Sequence, residues 1–378
     1  MIFLGRFLIS LACCAIAYLA LVVLVDAHGD FHTGLFPVII QDSREQKMAL
    51  FRQASAQGIN GIILGSSRSM KLRPDELRRL TGQRFFNFAV DNAKTEDYLA
   101  IYRWVRAQGV HPKCIIIGLD IEAMHNDDIP DTRLVRNAVL YREVTGTRPW
   151  IPQLDASEQV LTRCKQTFTN TYLADTLKSV RLRLRHADSK PISGFEADGY
   201  LRYYRWEWEK AHGTFNLKAE LTQSTAEYSR RLHGMRALSS TRERYLETLL
   251  SEARADGASI VIWLTNLHPQ VTGQLAQTTD YPLLLRATQA YLRKLRNTRQ
   301  IRAQDYHDPR NYGGSLTDWY DGAHIGETNA RLVVEGLVKG KLCTWSSTPI
   351  SSCSSSSLPS YRSSGSPKRS NNATSSSP

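Results

Sequence analysis

Between Gly61 and Ser69 an uninterrupted apolar run, Ile62-Ile63-Leu64, meets the small-residue turn Gly65-Ser66-Ser67-Arg68-Ser69. A short β-branched stretch closed this way reads as a strand buried on both faces, and such strands belong to parallel sheets. The same signature returns at 84–90, at 113–119, at 259–265 and, more weakly, at 301–306. Between these runs lie segments with helical periodicity at 44–57, from Pro74, at 95–108, 241–256, 280–297 and 326–338. Strand–helix–strand alternation predicts an α/β domain around a parallel five-stranded sheet. The rhythm breaks in the middle, which we read as a helical insertion over about 125–240 within a domain spanning 28–343. The insertion carries a helical-looking stretch at 158–185 and a basic cluster of Lys178, Arg181, Arg183 and Arg185. It also carries an aromatic patch of Tyr200, Tyr203, Tyr204, Trp206 and Trp208. The basic cluster reads either as a solvated face or as a site for an anionic polymer or lipid headgroup. The aromatics serve either to pack the insertion onto the core or to stack carbohydrate.

The amino end sets the address. Residues 7–25 form an apolar run long enough to cross a bilayer as a helix. Arg6 precedes it and Asp26 follows, so the positive-inside rule puts the domain outside the cytoplasm. A cleaved signal peptide calls for a shorter apolar core and a small-x-small site, and neither is clear; we expect a retained transmembrane signal anchor over 1–27. The net charge of +12 favours solubility and anionic surfaces, and no nucleic-acid module is recognisable. Cys13 and Cys14 fall in the span and Cys114 in an expected core strand; Cys164–Cys343 is the one disulfide considered, and no cysteine pair has zinc spacing. From 344 to 378 serine dominates, a composition that predicts disorder.

A serine at the carboxyl end of a buried parallel strand sits where open α/β sheets hold ligands. It is a weak nucleophile until a base takes its proton. Asp321-Gly322-Ala323-His324 supplies the best candidate, since a carboxylate three residues ahead of an imidazole can hold Nδ1 while Nε2 faces a hydroxyl. His268, after the fourth strand, reads as a supporting or structural residue. A phosphate-handling enzyme is the poorer reading, because there is neither a metal-ligand cluster nor a P-loop pattern.

These blocks resemble the SGNH (GDSL-like) hydrolases. Gly65-Ser66-Ser67-Arg68 stands where that superfamily carries Gly-Asp-Ser-Leu, and Asp321-x-x-His324 matches its terminal Asp-x-x-His. Phe86 to Ala93 looks like its second block, and Ile117-Gly118-Leu119-Asp120 like its third. The anchor, the Gly-Ser-Ser-Arg variant and the insertion are similar to the membrane-anchored branch, which includes the teichoic-acid D-alanyl transfer protein and the alginate O-acetylation proteins. The resemblance implies a flavodoxin-like three-layer sandwich with Ser67 as nucleophile, His324 as base and Asp321 as its orienting partner. It places Asn92, Asp120 and Arg68 at the oxyanion or substrate and implies no cofactor or metal. Asn92 stands where the second block has glycine, and Asp120 where the third has asparagine; an ionised carboxylate cannot donate to an oxyanion. The implied activity is an O-acyltransferase or esterase acting on an acylated cell-envelope polysaccharide or glycan. It would work in the periplasm, from the bacterial inner membrane, beside a membrane-bound O-acyltransferase. The alternative is a non-catalytic envelope module that binds polymer or docks onto such an acyltransferase.

Overall fold

The structure is a computed structural model of the chain, described for residues 2–27, 33, 35–37, 43–146, 167–168, 170–184, 193–299 and 301–339. Its centre is a five-stranded sheet of β1 (Gly61–Leu64), β2 (Phe85–Asn87), β3 (Cys114–Leu119), β6 (Ser259–Leu264) and β7 (Arg302–Asp305). The strands lie in the order β2-β1-β3-β6-β7, and every pairing is parallel. All residues of β1 and β3 are buried, as continuous apolar runs require when both faces are covered.

Strand alternation sorts the core into two layers. Ile62, Leu64, Ile115, Ile117, Ile260 and Ile262 face one cluster, closed by helices α2 (Ser43–Ser55), α4 (Thr95–Ala107), α10 (Ser240–Ala255) and α12 (Tyr281–Arg299). Ile63, Ile116, Val261 and Trp263 face the other, closed by α3 (Pro74–Thr81) and α13 (Glu327–Val338). Each fully buried aliphatic side chain contributes about 1.5–3 kcal/mol, so the sheet holds its neighbours through both faces.

The second strand is shorter than the sequence suggests, ending at Asn87 rather than Val90. The Asn87 side chain turns inward to donate to the carbonyls of Ser69 and Leu72 at 2.9 Å each. The insertion contains α5 (Thr132–Arg136), α6 (Ala138–Thr145), α7 (Asn170–Leu184), α8 (Tyr204–Ala211) and α9 (Leu217–Arg231). It also holds an unanticipated antiparallel pair, β4 (Gly194–Phe195) and β5 (Leu201–Arg202). Helix α11 (Pro269–Thr278) follows β6. Helix α1 (Ile2–Val25) is long and apolar enough to span a membrane. Cys114 is disulfide-bonded rather than a plain core thiol. The Cys164–Cys343 pairing, residue Arg185, most of the expected 158–185 helix before Asn170 and the serine-rich 344–378 segment lie outside the described residues.

Candidate active site

The turn after β1 is built to present one serine. Gly65 adopts φ +146°, and a Cβ there would lie 2.4 Å from Ser69 Oγ, so only glycine lets the chain fold back this tightly. Ser66 caps the following 3₁₀ turn (Ser67–Lys71), its Oγ accepting the Arg68 N–H at 3.2 Å. Ser69 is fully buried against Gly65 and Gly118. Of the three serines only Ser67 is not buried, and its Oγ lies 2.8 Å from His324 Nε2.

The other half of the site is a second tight turn, between β7 and α13. Asp321 Oδ1 accepts the N–H groups of Ala323 and His324, both at 2.7 Å, while Oδ2 holds His324 Nδ1 at 2.7 Å. Burial works to raise the Asp321 carboxyl. The His324 ring and those two N–H groups outweigh it, keeping the group ionised below the usual carboxylate range. The turn is clamped from both sides: the Gly322 N–H donates to Ser224 of α9 at 2.9 Å, and the Gly322 carbonyl accepts the His268 N–H at 2.8 Å. A Cβ on Gly322 would stand 2.6 Å from both Ser224 and Val271. Ser67, His324 and Asp321, from opposite ends of the sequence, therefore form one hydrogen-bonded chain with the order a Ser-His-Asp relay needs.

The remaining sequence candidates are placed differently. Arg68 is buried, donating to Glu122 and, at 2.9 Å, to Thr265 Oγ1, with Asp120 at 3.6 Å. Asp120 in turn accepts the Thr265 hydroxyl at 2.6 Å. Both side chains are therefore committed to a buried network rather than aimed at Ser67. Burial pulls the Arg68 guanidinium toward neutrality, but Asp120 and Glu122 more than reverse this and keep it charged. Asn92 adopts φ +49°; its amide donates to Asp131 at 2.8 Å and accepts from Arg231 at 3.2 Å, so its side chain is engaged. Among the described residues the backbone N–H groups of Ser67 and Asn92 donate to no other protein group. His268 is structural: its Nδ1 accepts the Gln270 N–H at 3.1 Å and caps α11.

The sequence singled out the aromatic patch without placing it. Tyr203 and Trp206 stand beside His324, their ring centroids 5.6 and 6.4 Å from that of its imidazole. Trp206 stacks on Tyr320 at 5.6 Å and 19°. Lys210 lies 4.0 Å over the Tyr320 ring, and Lys71 5.1 Å from it. Glu327 gathers Lys71 at 2.6 Å and the Tyr200 hydroxyl at 2.5 Å; although burial opposes it, these partners pull its carboxyl down to about 2. No group of three or more His, Cys, Asp or Glu side chains among the described residues is arranged to hold a metal ion.

Comparison with protein-family models and with curated proteins finds no match for the chain.

Proposed function

We propose that this protein is a serine-dependent acyl-ester enzyme, an O-acyltransferase or esterase acting on a cell-envelope glycan. The observation that carries the reading is the Ser67–His324–Asp321 chain at 2.8 and 2.7 Å. His324 takes the Ser67 proton as its oxygen attacks an ester carbonyl, and returns it to the departing alcohol. The acyl-Ser67 intermediate is then opened by a sugar hydroxyl or by water, with His324 again the base. The unengaged N–H groups of Ser67 and Asn92 are the candidate oxyanion donors; removing one such donor typically costs about 3–4 kcal/mol of transition-state stabilisation.

The sheet order 2-1-3-4-5 of the five parallel strands supports a flavodoxin-like arrangement and with it the SGNH-like reading of the four sequence blocks. The half-buried Tyr203 and Trp206, backed by the buried Tyr320, favour a glycan, since sugar rings pack on aromatic faces. Helix α1 as a retained anchor and a disulfide at Cys114 both suit a domain held outside the cytoplasm at a bacterial inner membrane. Glycan and acyl donor would meet there, beside a membrane-bound O-acyltransferase.

The test uses full-length protein in detergent with 4-nitrophenyl acetate and a fluorophosphonate probe. We expect labelling at Ser67, and turnover at least about 10³-fold lower in Ser67→Ala and His324→Ala. Equal turnover in wild type and Ser67→Ala would sink the reading. The engaged side chains of Asn92 and Asp120 favour one rival, a non-catalytic module that binds polymer or docks onto an acyltransferase. That rival predicts normal glycan acylation in a Ser67→Ala strain and its loss when the gene is deleted.

A further inference from the structure

Helix α7 packs along one stripe, and the rest of its surface exposes leucines and, in its second half, cations. Tyr172, Thr176 and Ser179, spaced along one stripe, are buried. Leu177 and Leu184 are 56% and 74% exposed; Lys178 and Arg181 are exposed off the packed stripe, and Arg183, also exposed, continues the line of Tyr172, Thr176 and Ser179. The packed face meets α1. The Tyr18 hydroxyl donates to the Thr167 carbonyl, and the Tyr18 and Phe168 rings lie 5.3 Å apart. Farther along, Ser179 donates to the carbonyl of Pro37, beyond the end of α1, at 2.6 Å. Helix α7 therefore climbs in the same direction as the second half of α1.

That direction fixes depths. The apolar stretch Phe3–Val25 of α1 is about 34 Å long at 1.5 Å per residue, against about 30 Å of hydrocarbon. Tyr18 stands about 10 Å below its end, inside the outer leaflet, and it brings Phe168 to that level. Leu173 and Leu177 then fall at most about 7 and 13 Å higher, and Lys178, Arg181 and Arg183 at most about 15–22 Å higher. Leu173 and Leu177 thus coincide with the edge of the hydrocarbon and the cations with the phosphates, while Leu184 stands beyond them. Isolated exposed leucines need no explanation; leucines continuous with a membrane-length helix and followed by cations at headgroup height have one.

We propose that α7 lies against the bilayer, Leu173 and Leu177 at the hydrocarbon boundary beside α1 and Lys178, Arg181 and Arg183 at the level of anionic lipid phosphates. This rests on α1 being a retained anchor, and owes nothing to the chemistry at Ser67. It would fix the height of the catalytic domain above the membrane.

The experiment reconstitutes the full chain in vesicles of phosphatidylcholine with 30% phosphatidylglycerol, or of phosphatidylcholine alone. An environment-sensitive fluorophore is attached through an unnatural amino acid at position 177, at position 16 in α1 or at position 139 in α6. We expect doxyl-lipid quenching and a blue shift at 177 approaching those at 16, with 139 unquenched. In the anionic vesicles, the Lys178→Glu/Arg181→Glu/Arg183→Glu variant should lose at least half of the quenching at 177. If 177 behaves like 139 while 16 is quenched, the inference fails and the anchor stands. If 16 is also unquenched, the anchor reading fails and takes the inference with it. Unchanged quenching in the charge-reversed variant removes the headgroup contact. Ester turnover enters none of these outcomes, so the proposed activity is tested separately.

Discussion

Arg68 adjoins Ser67 in sequence, yet its side chain serves the fold. It is fully enclosed with Glu122, Asp120 and Thr265, and Tyr228 covers its guanidinium at 4.9 Å. Burial raises the Glu122 carboxyl, and Arg68 is the main opposing influence. Removing only the cation strands two buried carboxyl groups, which typically costs about 3–5 kcal/mol, whereas removing both members of a buried pair is far milder. Chemical denaturation of Arg68→Met should therefore show that loss, and Arg68→Met/Glu122→Leu should recover part of it, the remainder reflecting Asp120 left without its cation. If Arg68 instead bound substrate, the single variant would keep wild-type stability and raise KM. Asp321→Asn tests the opposite kind of residue: it preserves shape but no longer fixes the His324 tautomer. Turnover of the acetyl ester should fall by about 10⁴-fold with the denaturation midpoint little changed. The contrast explains what the sequence could carry at this scale. The Asp321–His324 pair is local, so its spacing reveals it. The partners that engage Asn92 are Asp131 and Arg231, 39 and 139 residues away, and no local pattern could announce that its amide was taken.

At the scale of elements, continuous apolar runs made the strands legible, because a strand buried on both faces has no polar alternative. Helix α11 was missed: its sequence, PQVTGQLAQT, buries only Val271 and Leu275 and shows little periodicity. Its start is set instead by His268, which accepts the Gln270 N–H on Nδ1 and, as the Nε2–H tautomer, donates to the Leu316 carbonyl at 3.1 Å. Burial pushes the ring's pKa below its usual value, with the Leu316 contact partly opposing. Because the neutral form is the one that caps, this contribution to stability is complete above about pH 6.5. It is lost as the pH falls through the lowered value in the folded protein. His268→Asn should keep a cap while abolishing that acid-side slope, and His268→Ala should cost about 1 kcal/mol at neutral pH. Denaturation curves between pH 5 and 8 would read both. A His268→Asn curve with the wild-type slope would assign the titration elsewhere.

For the molecule as a whole, the question is what holds the insertion's aromatic wall against the sheet that carries Ser67. The β4–β5 hairpin leads directly into Tyr203 and Trp206, and it docks backbone to backbone: the Asn87 N–H of β2 donates to the Asp198 carbonyl at 2.8 Å. Gly199, at φ +83°, lies so close that a Cβ would stand 2.2 Å from the Asn87 carbonyl oxygen. Lys47 of α2 bridges the two, donating to the Asn87 carbonyl at 2.6 Å and to the Gly199 carbonyl, with the Phe195 ring 4.4 Å away. Burial lowers the Lys47 amine to about 7, against the pull of Asp91 and Asp198. Between that value and about 10.4, the ordinary value for a lysine, the unfolded chain holds a proton that the folded one does not. Stability from this group therefore rises with pH across the window and falls as the pH drops through 7. Lys71, Lys94 and Lys210 are lowered as well, so the informative quantity is the difference between wild type and Lys47→Met. From pH 7.5 to 9.5 the wild-type slope should exceed the variant's by about 1 kcal/mol per pH unit, approaching the one-proton limit. Gly199→Ala supplies the structural counterpart. By prising the hairpin from β2 it should raise KM for a glycan ester far more than for 4-nitrophenyl acetate, because the wall moves while Ser67, His324 and Asp321 keep their own turns. An equal loss on both esters would mean that the hairpin supports the triad itself, and the wall would no longer be a separate recognition surface.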